Sequence, residues 1–237
     1  MPSPVSGRLR DLSARFGLPA TAAAQFEALL DLVADEPASI TSVRDPKHGV
    51  DVHIADSLVA LELDAVRSAT RIADLGSGAG FPGLALAIAL PDVHVALVES
   101  VARKAAFLER AARALELENV AVVPARAEAW PDGLAAHDVV TARALASLAV
   151  VLEYAAPLLQ PGGTLVAWKG RLEQGEAADA RAAAGVLGMT EPESWAVAPF
   201  AGARDRALHL SSKVAPTPPS FPRREGMARK RPLRASS

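Results

Sequence analysis

The segment Asp74-Leu75-Gly76-Ser77-Gly78-Ala79-Gly80-Phe81-Pro82-Gly83 places an acid, alternating glycines and a proline directly after a short buried-looking run, Arg71–Leu75. Glycines turn the backbone sharply and let it approach a ligand closely. Proline suits the first position of a helix, which here runs through about Leu90. Strand, glycine loop and helix in this order place backbone N–H groups at the carboxyl edge of a parallel sheet, where α/β proteins hold nucleotides. A second acid, Glu99, closes the next apolar run and stands at the right distance to hold ribose hydroxyls.

Other residues with chemical potential lie further along. Arg143 follows the apolar run His137–Thr141, and Lys169 follows Thr164–Trp168, so both fall at carboxyl ends of strands. His53 and Asp56 lie one helical turn apart, either as a helix-stabilising polar pair or as substrate contacts. Arg223, Arg224, Arg229, Lys230 and Arg231 crowd the end of the chain. No metal-ligand spacing is visible and no metal is expected.

The elements that must position these residues follow from periodicity. Residues 5–16 and 20–35 have helical spacing, bounded by Pro19 and Pro37, and a third helix starts at Val52 after a polar connection from Thr41 to Gly49. Residues 1–65 therefore read as a helical cap. From Arg71 strands and helices alternate: strands at 71–75, 94–98, 119–124, 137–141 and 164–168, with helices near 82–90, 103–117, 145–157 and 172–187. Gln160-Pro161-Gly162-Gly163 reads as a turn. Two strands near 195–199 and 206–212 close the series without a helix between them, so the last should run antiparallel. The expectation is an α/β fold, a doubly wound, mostly parallel seven-stranded sheet over residues 66–214. Residues 215–237 form a Pro/Arg-rich basic tail, expected to be irregular. Phe107, Leu108, Trp130 and Trp195 read as core.

Composition removes several mechanisms. The chain has 237 residues and no cysteine, which excludes disulfides, cysteine-ligated zinc, iron–sulfur clusters and a cysteine nucleophile. No apolar run approaches the roughly 20 residues of a membrane span. The amino-terminal stretch has no apolar core followed by a cleavage site, so a cytoplasmic protein is expected, read as a monomer. The formal net charge of −2 hides an asymmetry: six bases against one acid from Pro216 to Ser237 give that segment +5, which leaves −7 on residues 1–215. An acidic body with a basic tail suggests a polyanionic partner gripped by the tail.

Two ligands compete for the loop. Gly78-x-Gly80-x-x-Gly83 satisfies a dinucleotide fingerprint, whereas Gly76-x-Gly78-x-Gly80 preceded by Asp74 resembles the S-adenosylmethionine loop of class I methyltransferases. Register favours the second. Gly76 follows the strand directly, and counted from there the third dinucleotide glycine would fall on Phe81. The Pro-Gly-Gly segment and the closing hairpin also resemble class I methyltransferases, which are Rossmann-like.

The resemblance narrows with Glu99-Ser100, Ala127-Glu128, Thr141-Ala142-Arg143-Ala144, Trp168-Lys169-Gly170 and His53-x-x-Asp56-Ser57-Leu58. Together with Pro222-Arg223-Arg224 and Lys230-Arg231-Pro232-Leu233, these resemble the bacterial small-subunit ribosomal RNA methyltransferase G family, also called glucose-inhibited division protein B. The resemblance implies methyl transfer from S-adenosylmethionine to N7 of a guanine in 16S ribosomal RNA, with the small subunit as partner. It implies cofactor contacts at Gly76, Phe81, Ala127, Glu128 and Arg143, and the loop reading adds Asp74, Gly78, Gly80 and Glu99. Asp74 has a second reading, as a residue that holds the loop by hydrogen bonding. Arg143 and Lys169 are assigned to positioning. His53, Asp56, Arg223, Arg224, Arg229, Lys230 and Arg231 are assigned to RNA.

Guanine N7 carries an in-plane lone pair and loses no proton on methylation, so no general base is needed and catalysis is mainly positioning. Ala142-Arg143-Ala144 stands where exocyclic-amine methylation would use an Asn/Asp-Pro-Pro-aromatic motif. Rival expectations are a class I methyltransferase with a protein or small-molecule acceptor, and a ribosome-assembly protein that performs no catalysis.

Overall fold

A computed structural model describes residues 3–235; Met1, Pro2, Ser236 and Ser237, the extreme ends of the cap and tail segments, lie outside the described residues. Two amphipathic helices come first, α1 (Pro4–Phe16) and α2 (Ala22–Asp35), whose Leu9, Leu12, Phe16, Phe26, Leu29 and Val33 are buried at helical spacing. Ser3 caps α1 by accepting from the Ser6 N–H, and Gly17 ends it in the left-handed conformation.

The expected third helix begins earlier than Val52. Asp45 caps α3 (Pro46–Gly49), with Pro46 at its start. The chain continues through a π-helical segment, Val50–Ala55, into α4 (Asp56–Leu58) and a 3₁₀ turn, Val59–Glu62. The wider π turn brings His53 and Asp56 to the interior, and such turns often mark functional positions. A short α5 (Asp64–Arg67) leads into the sheet.

Five strands are parallel: β1 (Arg71–Leu75), β2 (His94–Val98), β3 (Val120–Val123), β4 (His137–Arg143) and β5 (Leu159–Lys169). The sheet is completed by β6 (Glu193–Ala196) and β7 (Ala207–Ser212), in the order β3-β2-β1-β4-β5-β7-β6. β7 lies between β5 and β6 and is antiparallel to both. Helices α6 (Gly83–Ala89), α7 (Ala102–Ala114), α8 (Leu148–Ala155) and α9 (Gln174–Leu187) make the crossovers. The cap helices share a continuous core with α6, α7 and one face of the sheet, while α8 and α9 pack into a second cluster. Strand order reverses between β1 and β4, which is where ligands bind in such sheets.

Several boundaries differ from the sequence reading. β4 runs on to Arg143, because Ala142 and Arg143 pair with Ala167 and Trp168. Gln160–Gly163 is no turn but the irregular start of β5. The β4 register shifts between His137 and Val139, and the Gly162 N–H donates to the Lys213 carbonyl at 2.9 Å. Pro82 is the cap residue of α6, whose first helical residue is Gly83. Trp195, expected in the core, is 50% exposed, because β6 is the edge strand and all four of its residues face solvent. The tail contains a short helix, α10 (Met227–Lys230), and packs Phe221, Ala228 and Leu233 on the cluster around α8.

Candidate active site

The glycine loop is held from beneath. Asp74, 1% exposed, accepts from the Gly83 N–H at 3.2 Å and the Thr141 hydroxyl at 2.8 Å, and Ser77 Oγ donates to its carbonyl at 2.8 Å. Burial pushes the Asp74 carboxyl up from the ordinary carboxylate value, and these donors oppose that shift. Of the two sequence readings of Asp74, the geometry matches the loop-holding one: its carboxylate faces β4 and the start of α6, away from solvent. The Gly76 position (φ +67°) favours glycine by its backbone, with close packing beside it. Its conformation is left-handed, and a Cβ there would sit 2.6 Å from Leu145. Its N–H donates to the Val98 carbonyl at 2.8 Å, which ties the loop to β2.

Glu99 completes the cradle. Its two carboxylate oxygens accept from the N–H groups of Gly78 (3.0 Å) and Val101 (2.7 Å). Each oxygen keeps a further lone pair, enough to receive the hydroxyls of a ribose. Gly80 turns the loop through a 2.7 Å bond from its N–H to the Ser77 carbonyl. Ala127 and Glu128 lie in a 3₁₀ turn after β3 and line, with Leu75, Gly76, Val98, Ser100, Leu145 and Arg229, a crevice of about 60 Å³. Apolar walls from Leu75, Val98, Ala127 and Leu145, with the Glu128 carboxylate among them, suit an adenosyl group.

A chain of contacts crosses from this loop to the cap. The Phe81 ring stacks on His53, with centroids 4.4 Å apart and planes within 4°. The Arg143 guanidinium lies 5.7 Å from the centre of the same ring and donates to Asp56 Oδ2 at 2.8 Å and to the Val52 carbonyl at 3.0 Å. Trp168 Nε1 donates to the Asp56 carbonyl at 2.7 Å. Asp56 is 2% exposed and His53 6%. Both side chains, expected to meet RNA, are interior rather than on an outer surface: His53 stacks on Phe81, and Asp56 pairs with Arg143 while lining the cavity beside it. His53 Nε2 bonds the Val43 carbonyl at 2.9 Å, and burial pushes its pKa below the ordinary histidine value. Nothing in the sequence alone distinguished this from the surface reading.

A larger cavity of about 310 Å³ opens beside the loop at the ends of β4, β5 and β7. Arg143, Lys169, Arg171 and Arg206 line it, together with Asp56 and Glu176. Lys169 pairs with Glu176 at 2.9 Å and donates to the Ala146 carbonyl at 3.2 Å. Burial pushes the Glu176 carboxyl up, but Lys169 and the Leu148 N–H outweigh it and hold the group below its ordinary value. Among the described residues, no group of three or more His, Cys, Asp or Glu could hold a metal ion, and no helix is long and apolar enough to cross a membrane.

The tail bases are not all free for RNA. Arg223 pairs with buried Glu153; Arg229 donates to the Leu145 carbonyl at 2.9 Å but is itself exposed, as are Arg224, Lys230 and Arg231. The Arg223 guanidinium, expected to meet RNA, is thus engaged within the protein, while Arg229 makes one such bond and keeps an exposed side chain. The sequence reading missed Thr141, Leu145 and Glu153. Thr141 stood only within a quoted motif, with no role assigned, and Glu153 carried a signal as the one acid in the apolar run Leu148–Ala155.

Comparison with known sequences decides the family. The pattern of the rRNA small subunit methyltransferase G family, GidB, matches residues 22–198. The chain belongs to this family. Ribosomal RNA small subunit methyltransferase G of Roseiflexus castenholzii is 44% identical over 202 residues, covering 82% of this chain and 84% of the relative. That of Desulfitobacterium hafniense is 41% identical over 202 residues (84% and 83%), and that of Chloroflexus aggregans 41% over 215 residues (89% and 90%). In fold, the chain is similar to the S-adenosylmethionine-dependent methyltransferase SibL, with a TM-score of 0.58, 15% identity and coverage of 90% and 70%. It is also similar to an S-adenosylmethionine-dependent O-methyltransferase of Thermotoga maritima, with a TM-score of 0.55, 18% identity and coverage of 79% and 71%. Family members are methyltransferases, and family and fold together imply S-adenosylmethionine as cofactor. The glycine cradle and Glu99 fit it.

Proposed function

We propose that this chain methylates N7 of a guanine in small-subunit ribosomal RNA, with S-adenosylmethionine as donor. The observation that carries the reading is the adjacency of two sites: the glycine-loop crevice and the cation-lined cavity, which share Leu145, two residues past the end of β4. S-adenosylmethionine supplies an electrophilic methyl group on a sulfonium. The loop backbone and Glu99 would hold its ribose end, and Ala127 and Glu128 its adenine end.

The chain's own residues do the rest by positioning. Arg143 is fixed by Asp56, the Val52 carbonyl and the Phe81 ring, so it enters the cavity mouth in a set orientation. Lys169 is fixed by Glu176 and Ala146. Four basic side chains against two acids leave the cavity net positive, as a site for a nucleotide and its phosphates should be. Both cavity acids are committed to ion pairs, and Glu176 is held below its ordinary pKa, which makes it a poor base. Attack by guanine N7 needs none.

The test supplies methyl-labelled S-adenosylmethionine with small ribosomal subunits and, in parallel, protein-free 16S RNA, followed by nucleoside mass spectrometry. Label in 7-methylguanosine is expected. Cofactor binding with no label in either RNA would transfer the reading to another acceptor.

A further inference from the structure

The basic tail has a second role that its charge does not announce. Residues 221–234 are built into the protein by contacts that converge on the cofactor crevice. Arg223 Nε donates to Glu153 Oε1 at 2.6 Å and its Nη2 to the other carboxylate oxygen, on an acid whose side chain is only 3% exposed. This forked pair anchors the tail on α8. Ala228 is buried, and Phe221 and Leu233 pack on the same cluster. Between these anchors, the Gly226 N–H donates to Glu128 Oε1 at 2.8 Å, and Arg229 donates to the Leu145 carbonyl at 2.9 Å.

Glu128 and Leu145 are both crevice walls, and Leu145 is the residue against which Gly76 packs. Arg229 itself lines the crevice beside Tyr154. The tail therefore meets the crevice at its acid, at the support of its glycine loop and at its open side.

We infer that residues 226–229 form the outer wall of the S-adenosylmethionine crevice and that Arg229 is a cofactor-binding residue, leaving the solvent-facing Arg224, Lys230 and Arg231 as the part of the tail available to RNA. This rests on the crevice being the cofactor's seat. A guanidinium tethered at that wall offers a purine a flat, cationic surface. The Gly226 N–H orients the Glu128 carboxylate and leaves its second oxygen to accept from an exocyclic amine. Cofactor affinity then depends on a segment far in sequence from the glycine loop, and the tail is not given over wholly to a polyanionic partner.

The test compares Arg229→Ala and Arg229→Lys with Arg224→Ala. S-adenosylmethionine affinity is read by titration calorimetry, with thermal melting to verify folding and a 16S RNA fragment to read RNA affinity separately. Arg229→Ala should weaken cofactor binding about tenfold, with Lys recovering only part of the loss because it lacks the planar fork. Arg224→Ala should leave cofactor affinity within about twofold and reduce the salt dependence of RNA binding. Cofactor affinity of Arg229→Ala within about twofold of wild type would overturn the inference, as would wild-type protein that binds no cofactor. Wild-type protein that binds cofactor and loses affinity on Arg229→Ala, yet methylates no ribosomal RNA, would support this inference and overturn the proposed substrate.

Discussion

Arg143, at the end of β4, donates a 2.8 Å hydrogen bond to Asp56, which lies 87 residues earlier in the amino-terminal cap. Through this pair the cap is a structural part of the catalytic edge. The same arginine lies beside Phe81 of the glycine loop, and the carbonyl of the same aspartate receives the Trp168 indole N–H. The two ends of the proposed site, cofactor loop and base cavity, are thus referenced to one buried carboxylate.

Breaking that pair from the acid side should be costly. Asp56→Ala leaves Arg143 without its charged partner in a largely enclosed position, where removing one member of a buried ion pair costs about 3–5 kcal/mol. Chemical denaturation should show a loss of that order. Asp56→Asn keeps a hydrogen-bond acceptor and should lose less. In both variants the methylation rate should fall further than cofactor affinity, because the arginine's orientation in the cavity is what is lost.

The support beneath the glycine loop makes a different prediction. Thr141→Val removes the hydroxyl that satisfies Asp74 Oδ1 while preserving shape. A buried acceptor left unpaired costs about 1–3 kcal/mol. Thermal melting should show the loss, and S-adenosylmethionine affinity should weaken with it, since Asp74 also holds the Gly83 N–H. Gly83→Ala attacks the same spot by crowding: a Cβ would lie 2.3 Å from Leu97 Cδ2 and 2.7 Å from Asp74 Oδ2. Overpacking of this kind costs about 1–3 kcal/mol.

His53 should leave a mark on the pH dependence of stability. Its folded pKa is lowered by burial, which outweighs the Val43 carbonyl. As pH falls below about 6.5, the unfolded chain takes up a proton that the folded chain refuses, so stability decreases with acidity. His137 is lowered for the same reason and adds to the slope with the same sign. His53→Phe keeps a ring against Phe81 and removes one titrating group. Between pH 6.5 and 5 its denaturation free energy should fall less steeply than that of wild type.

How much of this was legible beforehand depended on sequence separation. The strand–loop–helix from Arg71 to Leu90 and the acid at Glu99 could be read directly, because each rests on local backbone requirements. The antiparallel last strand followed from two strands with no helix between them. The inward turn of His53 and Asp56 could not be read, since it depends on a π-helical register and on partners far along the chain. The tail misled in a particular way: Arg223 looks like its exposed neighbours, and only the location of Glu153 separates it from them. Pro161-Gly162-Gly163 has turn composition, yet the Gly162 N–H and the Gly163 carbonyl both find their partner in the backbone of Lys213, just past β7. Trp195 was misplaced because an edge strand leaves a large aromatic ring uncovered.

Methyl transfer to guanine N7 by positioning needs no general base. Single-turnover rates with small subunits, measured from pH 7 to 8.5 and read as 7-methylguanosine, test it most directly. The rate should stay within about twofold across that range, because no proton leaves the nucleophile. A rate rising about tenfold per pH unit, or label in any other nucleoside, would contradict it.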